Sequence, residues 1–176
     1  MAVRIGQPAP RIEAVAYQRG KDGPVKINLE DYKGQWVVLF FYPLDFSPVC
    51  PIDMQRFAEE AKAFEKEKAA IIGASPDSME AHRVFFSTDE RLKDVHYPVI
   101  ADRNQEVSRS FGVLIEEKGI THRGTFIIDP EGVVRYISIS EPGIGRSVSE
   151  TLRNLQALRT GKLCPAEWTP AKATIN

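Results

Sequence analysis

The run Gln35-Trp-Val-Val-Leu-Phe-Phe-Tyr-Pro43 constrains the fold of this chain more than any other segment. It is continuous, apolar, aromatic and β-branched, and it stops at a proline, so it reads as a strand buried on both faces at the centre of a sheet. Such a strand needs a layer on either side. Met54, Phe57, Ala61 and Phe64 recur at helical spacing opposite Glu59, Glu60, Lys62 and Lys66, which predicts an amphipathic helix over 51–66. AAIIGA at 69–74 predicts a second buried strand, and 78–87 a helix opened by Ser78. A short strand over 97–101 and a short helix over 105–111 follow. Segments 124–129 and 133–138 flank the turn Asp129-Pro-Glu-Gly132, the signal of a β-hairpin. A last helix over 147–158 carries Leu152, Leu155 and Leu158 on one face and stops near Gly161.

This order of elements predicts the α/β class, with a mixed central sheet and helices on both faces. With 176 residues, 43% of them apolar and 27% charged, and no repeat or flexible linker, the chain reads as one domain over 1–176. Residues 162–176, with Cys164, Pro165, Trp168 and Pro170 but no periodicity, read as a mobile C-terminal arm. A net charge of -1 argues against a phosphate-tracking surface, so no nucleic-acid partner is expected. The opening MAVRIGQPAP lacks the apolar core of a secretory signal, and the apolar run 36–42 is too short to span a bilayer. The expectation is a soluble, cytoplasmic protein without a membrane partner. A cysteine pair in a reducing compartment is either catalytic or plainly structural.

Pro43-Leu-Asp-Phe-Ser47-Pro-Val-Cys50-Pro51-Ile-Asp53 places one of the two cysteines where the buried strand gives way to the helix. Unpaired backbone N–H groups and the positive end of a helix dipole favour an anion there, and the thiolate is the reactive form of cysteine. Pro51 suits a first helical turn, where its missing N–H would have been unpaired anyway. Pro43 and Pro48 stiffen the loop, and the Ser47 hydroxyl can hydrogen-bond both a thiolate and a bound hydroxyl group. An arbitrary cysteine in an apolar region is more often inert core. Here the polar loop, the prolines and the helix start favour a reactive thiol. A thioredoxin-type dithiol would need Cys-x-x-Cys, whereas Cys50 is followed three positions later by Asp53. A cysteine hydrolase pairing Cys50 with a histidine stays open. His82, His96 and His122 show no ligand spacing with the cysteines, so no metal is expected and core or solvated roles are.

FYPLDFSPVCP at 41–51 resembles the active-site signature of the peroxiredoxins, Pro-x-x-x-Thr/Ser-x-x-Cys, with Pro43, Ser47 and Cys50 in register. RGTFIIDPEG at 123–132 is similar to the family segment that supplies an active-site arginine, and LCPAEWTP at 163–170 to the segment around the resolving cysteine of two-cysteine members. The likeness runs over nearly the whole chain, nearest to alkyl hydroperoxide reductase C subunits and thioredoxin-dependent peroxidases. It implies a thioredoxin-like fold with peroxiredoxin elaborations and a thiol peroxidase that needs no cofactor. By this resemblance Cys50 is the peroxidatic cysteine, Pro43 shields it from water, and Ser47 and Arg123 hydrogen-bond the peroxide oxygens as the O–O bond breaks. Cys164 then resolves the oxidised sulfur as a disulfide. Tyr42 matches a residue adjoining the site, and Arg146 a second family arginine that would pair with Asp53. Asp53 stands where the family commonly has Glu, and Ser47 where Thr is commoner, changes of reach and rotamer stiffness that keep the chemical group.

The resemblance further implies a hydroperoxide substrate, hydrogen peroxide or organic, and regeneration by thioredoxin or a flavoprotein disulfide reductase. The disulfide would cross a head-to-tail homodimer, and five dimers would close a decamer. Relatives in high oligomers act as holdases, which is the non-catalytic alternative. Peroxide-sensitive relatives carry Gly-Gly-Leu-Gly and a terminal Tyr-Phe; 84–100 has no glycine here and the sequence ends in KATIN. Local unwinding around Cys50 is therefore expected to outrun its oxidation to sulfinic acid.

Overall fold

The computed structural model describes residues 3–175. A seven-stranded mixed sheet runs in the order β2-β1-β5-β4-β3-β8-β9. Its strands are β1 (Glu13–Tyr17), β2 (Val25–Asn28), β3 (Trp36–Phe41), β4 (Ala69–Ser75), β5 (Val99–Ala101), β8 (Arg123–Ile128) and β9 (Val134–Ser140). β3, β4 and β5 are mutually parallel, while β8 runs antiparallel to β3, and β9 to β8. A separate two-stranded ribbon joins β6 (Leu114–Ile115) to β7 (Ile120–Thr121). The helices are α1 (Cys50–Glu59), α2 (Ala61–Lys66), α3 (Met79–Thr88), α4 (Glu106–Ser110) and α5 (Val148–Thr160).

The apolar run 35–43 contains β3, and its alternate residues serve two cores. Val38, Phe40 and Tyr42 pack with Met54 and Phe57 of α1, Phe64 of α2, Phe85 and Phe86 of α3 and Leu155 of α5. Val37, Leu39 and Phe41 pack on the other face with Val107 of α4, Phe111, Phe126 and Ile128. Burying both faces of one strand demands the unbroken apolar sequence observed. Gly73 makes room for this packing, since a Cβ there would stand 3.1 Å from the Phe40 ring, which itself stacks on Phe57 at 4.3 Å.

Three local features differ from the sequence reading. The helix expected over 51–66 is two helices, because Glu60 leaves helical geometry (φ -91°, ψ 1°). The hairpin β1–β2 and the ribbon β6–β7 add strands beyond those expected from the sequence. The segment after Gly161 folds back on α5: Trp168 is buried, its carbonyl accepts from Arg153 Nη1 at 3.3 Å, and Leu163 pairs with Ile175. Gly161 supplies the left-handed residue (φ 63°) that ends α5, and Gly132 (φ 83°) does the same for the β8–β9 turn. Among the described residues no helix is long and apolar enough to cross a membrane.

Candidate active site

The parallel strands β3 and β4 end on the same side of the sheet, where the chain leaves β3 for α1, and open α/β sheets place their chemistry at such strand ends. Pro43 is buried at this exit. The loop is pinned from below: the Tyr42 hydroxyl donates to Asp45 Oδ1 at 2.8 Å, and the Asp45 N–H donates to Asp77 Oδ2 at 2.8 Å. Asp45 Oδ2 lies 2.7 Å from His82 Nδ1, whose other ring nitrogen faces the Ile100 carbonyl at 3.2 Å. Burial raises the Asp45 carboxyl from its ordinary range, against the pull of His82. Tyr42 thus anchors the loop through Asp45, and its hydroxyl is not turned to the sulfur. His82 is the core histidine expected. Phe46 sits at φ 59°, a costly conformation for a bulky residue, so the loop carries backbone strain just ahead of Ser47.

Cys50 is the first residue of α1 and is fully buried. Val49 before it offers no side-chain cap; the Ser47 hydroxyl oxygen accepts the Cys50 N–H at 3.0 Å instead. Pro51 occupies the first turn, as its missing N–H permits. Asp53, one turn along, is 4% exposed.

β8 delivers the cation. Thr125 pairs with Phe40, so Arg123, two residues earlier on the antiparallel strand, reaches the exit of β3. Its guanidinium is held on three sides: Nε donates to the Pro142 carbonyl at 2.8 Å, Nη1 to Asp53 Oδ2 at 3.0 Å and Nη2 to Cys50 Sγ at 3.4 Å. Arg146 closes the cluster from the other side. Its Nε donates to Asp53 Oδ2 at 3.1 Å and its backbone N–H to Oδ1 at 3.3 Å, while its Nη1 and Nη2 reach Thr125 Oγ1, Gly124 O and Phe41 O. It also lies 5.0 Å over the Phe40 ring. Burial pulls the Arg146 guanidinium below its ordinary range, and Asp53 opposes that. Two buried guanidinium groups thus face one carboxylate, leaving one positive charge beside the sulfur.

Cys50, Ser47, Asp53, Arg123 and Arg146 therefore come together, with Pro43 and Tyr42 beneath them. Cys164 does not join them. It follows α5, half-buried, its sulfur 3.5 Å from Thr160 Oγ1 and 3.8 Å from the Ala157 and Lys162 carbonyls, and both cysteines are free thiols. A cleft of about 760 Å³ lies elsewhere, over β1 and β2. The carbonyl of Pro142 escaped the sequence reading, because a backbone acceptor leaves no residue-type signature.

The profile of the AhpC/TSA family matches residues 5–137. The peroxiredoxin tpx1 of Schizosaccharomyces pombe is 43% identical over 183 residues, covering 100% of this chain and 94% of its own length. The crystal structure of the reduced Plasmodium vivax 2-Cys peroxiredoxin superposes with a TM-score of 0.91 at 29% identity, covering 97% of this chain and 91% of that one. Enterococcus faecalis AhpC gives a TM-score of 0.87 at 34% identity, covering 94% and 100%. A buried cysteine at a helix start with an arginine on its sulfur, on a mixed α/β sheet of thioredoxin type, agrees with these matches: the chain belongs to the AhpC/TSA family, the thiol-dependent peroxidases called peroxiredoxins.

Proposed function

We propose that Cys50 is the peroxidatic sulfur and that the guanidinium of Arg123, 3.4 Å from it, is the group that makes it reactive toward hydrogen peroxide and organic hydroperoxides. The Arg123–Asp53–Arg146 cluster carries one more positive than negative charge, and its Nη2 donor can hold the sulfur as a thiolate, the form of cysteine that attacks. The thiolate attacks the terminal oxygen of the hydroperoxide, an S–O bond forms as the O–O bond breaks, and the departing oxygen takes a proton to leave as water or an alcohol. Nη1 and Nη2 each carry a second hydrogen, and the Ser47 O–H is available to donate, so donors stand where negative charge develops. Pro43 keeps bulk water from the sulfur.

Cys164, carried on the C-terminal arm, then condenses with the sulfenic acid, forming a disulfide and releasing water. The arm belongs to the second protomer of a head-to-tail dimer, and five dimers form the decamer. A dithiol reductant, thioredoxin or a flavoprotein disulfide reductase, returns both thiols, and the enzyme works in the cytoplasm as a single domain. Stopped-flow oxidation of the reduced protein by hydrogen peroxide and by an alkyl hydroperoxide tests the first step. Cys50→Ser should abolish it, and oxidation of Cys50 no faster than that of free cysteine would refute the reading. Non-reducing electrophoresis tests the second: a band at twice the protomer mass should appear, and should vanish in Cys164→Ser.

A further inference from the structure

We infer that Gly145 is a positioning residue for the peroxidase reaction, acting on Arg123 through Asp53; the inference rests on the reading of Cys50 and Arg123 above. Gly145 lies in the turn between β9 and α5, between Ile144 and Arg146. It does not have the positive φ that would demand glycine, unlike Gly132 or Gly161. What it lacks is space: a Cβ at this position would stand 3.2 Å from Asp53 Oδ1 and 3.6 Å from Val49 Cγ1. The next peptide already uses the closeness, since the Arg146 N–H donates to the same Oδ1 at 3.3 Å.

A carboxylate in open surroundings would step aside by a few tenths of an ångström. Asp53 is 4% exposed and held by Arg146 Nε and Arg123 Nη1 on its other oxygen, so it moves only with its partners. Arg123 in turn holds the Cys50 sulfur by a single Nη2 contact. Displacement of Asp53 therefore passes to the one donor on the reacting atom. The bare Cα of Gly145 lets the turn close on a short carboxylate without disturbing the fork, and Val49, whose carbonyl accepts the Ile52 and Asp53 N–H groups at the start of α1, is the second surface that a side chain would press.

The same turn contains an internal control. Gly143 also lacks a positive φ, and a Cβ built on it meets nothing within 4 Å. Gly143→Ala and Gly145→Ala thus remove the same backbone freedom from the same turn and differ in what the methyl touches.

The experiment compares the rates at which Cys50 reacts with hydrogen peroxide and with iodoacetamide, which needs the same accessible thiolate but no donor on a leaving oxygen, in the full-length reduced protein, where the charges of Arg123, Asp53 and Arg146 are all retained. A sub-ångström misplacement of a catalytic donor predicts a loss of about tenfold in the peroxide rate of Gly145→Ala. Its iodoacetamide rate should stay within about twofold, and Gly143→Ala should match the parent in both. Adding Gly145→Ala to Asp53→Asn should cost much less than adding it to the parent, because a neutral amide of the same shape no longer grips Arg123 Nη1 as the carboxylate does and so passes on little of the displacement. The inference is overturned if Gly145→Ala retains the parent's peroxide rate, if both glycine variants lose it equally, if alkylation falls in proportion, or if the losses with Asp53→Asn are additive. Slow peroxide oxidation of the parent itself would instead refute the reading of Cys50, so the two failures are distinct.

Discussion

Asp53 and Arg123 face each other at 3.0 Å, Oδ2 to Nη1, with 4% and 1% of their side chains exposed. A pair so enclosed gains little over a well-packed apolar substitute, but removing one partner leaves the other charge buried and unanswered. In this cluster the loss is compounded, because Asp53 is also the carboxylate for Arg146. Asp53→Asn should therefore lower stability by about 3 kcal/mol in urea unfolding. Its peroxide rate should fall by about tenfold or more, since Arg123 loses the anchor that aims Nη2 at the sulfur. A variant with the parent's stability and rate would show that the cluster is decoration.

Ser47 makes a narrower contribution. Its oxygen accepts the N–H of Cys50 at the start of α1, a position where Val49 provides no cap. Loss of a helix cap costs about 1 kcal/mol. Ser47→Ala should show that loss together with a several-fold slower reaction with peroxide, and Ser47→Thr should restore both. Thermal unfolding and stopped-flow oxidation of the two variants decide the matter, and equal behaviour of alanine and threonine would remove the hydroxyl from the account.

Much of this site was legible in the sequence because its logic is local. An unbroken apolar run has to end at a loop, Pro51 marks the next helical turn, and Cys50 sits between them. The family resemblance pairs Asp53 with Arg146, and their side chains form an ion pair at 3.1 Å. The unread parts fail for physical reasons. In β1, Ala14 and Ala16 point inward while Val15 is 42% exposed, so the apolar alternation that marks a strand is muted or reversed. The break at Glu60 interrupts a run of good helix formers, and nothing in their propensity announces it. The loop anchor joins Tyr42 and Asp45, neighbours in sequence, to His82, 37 positions beyond Asp45, and only the β3–β4–β5 arrangement brings the histidine to them.

The β8–β9 turn carries a pH dependence whose sign follows from its contacts. Asp129 Oδ1 accepts the N–H groups of Glu131 and Val133, and Oδ2 accepts Arg135 Nε at 2.6 Å. Burial tends to raise this carboxyl, but those hydrogen bonds and the Arg135 charge outweigh it and hold it below its ordinary range. The unfolded chain, with a carboxyl near about 3.9, then binds the proton first as acid is added. The stabilisation by Asp129 is thus complete above the unfolded value and is lost as pH falls through the lower, folded one. Asp129→Asn should unfold at lower urea than the parent at pH 7. The gap should narrow as pH falls through and below about 4, and a constant gap would contradict the assignment.

The C-terminal segment sets a different constraint, on when Cys164 becomes available. Trp168 is 3% exposed, its indole N–H donates to the Lys172 carbonyl at 3.0 Å, and its own carbonyl accepts from Arg153 on α5. Leu163 and Ile175 close the segment into a loop through the Ile175 N–H at 2.8 Å from the Leu163 carbonyl. Cys164 sits inside that closure with its sulfur against Thr160 and the last turns of α5. To meet another sulfur it has to leave these contacts, and the buried indole is the largest apolar group resisting departure. Removing a buried tryptophan costs about 3–5 kcal/mol where surroundings cannot collapse, more than enough to open a segment held by few hydrogen bonds. Trp168→Ala should therefore raise the rate at which a disulfide reagent modifies Cys164 in a Cys50→Ser background, by tenfold or more on an estimate of about 1.4 kcal/mol per decade. With Cys50 present, the same substitution should leave the first oxidation by peroxide unchanged, because none of the Arg123 contacts involves the arm. If Cys164 reacts equally fast in both proteins, the indole does not hold the arm and the barrier to resolution lies at the Cys50 helix instead.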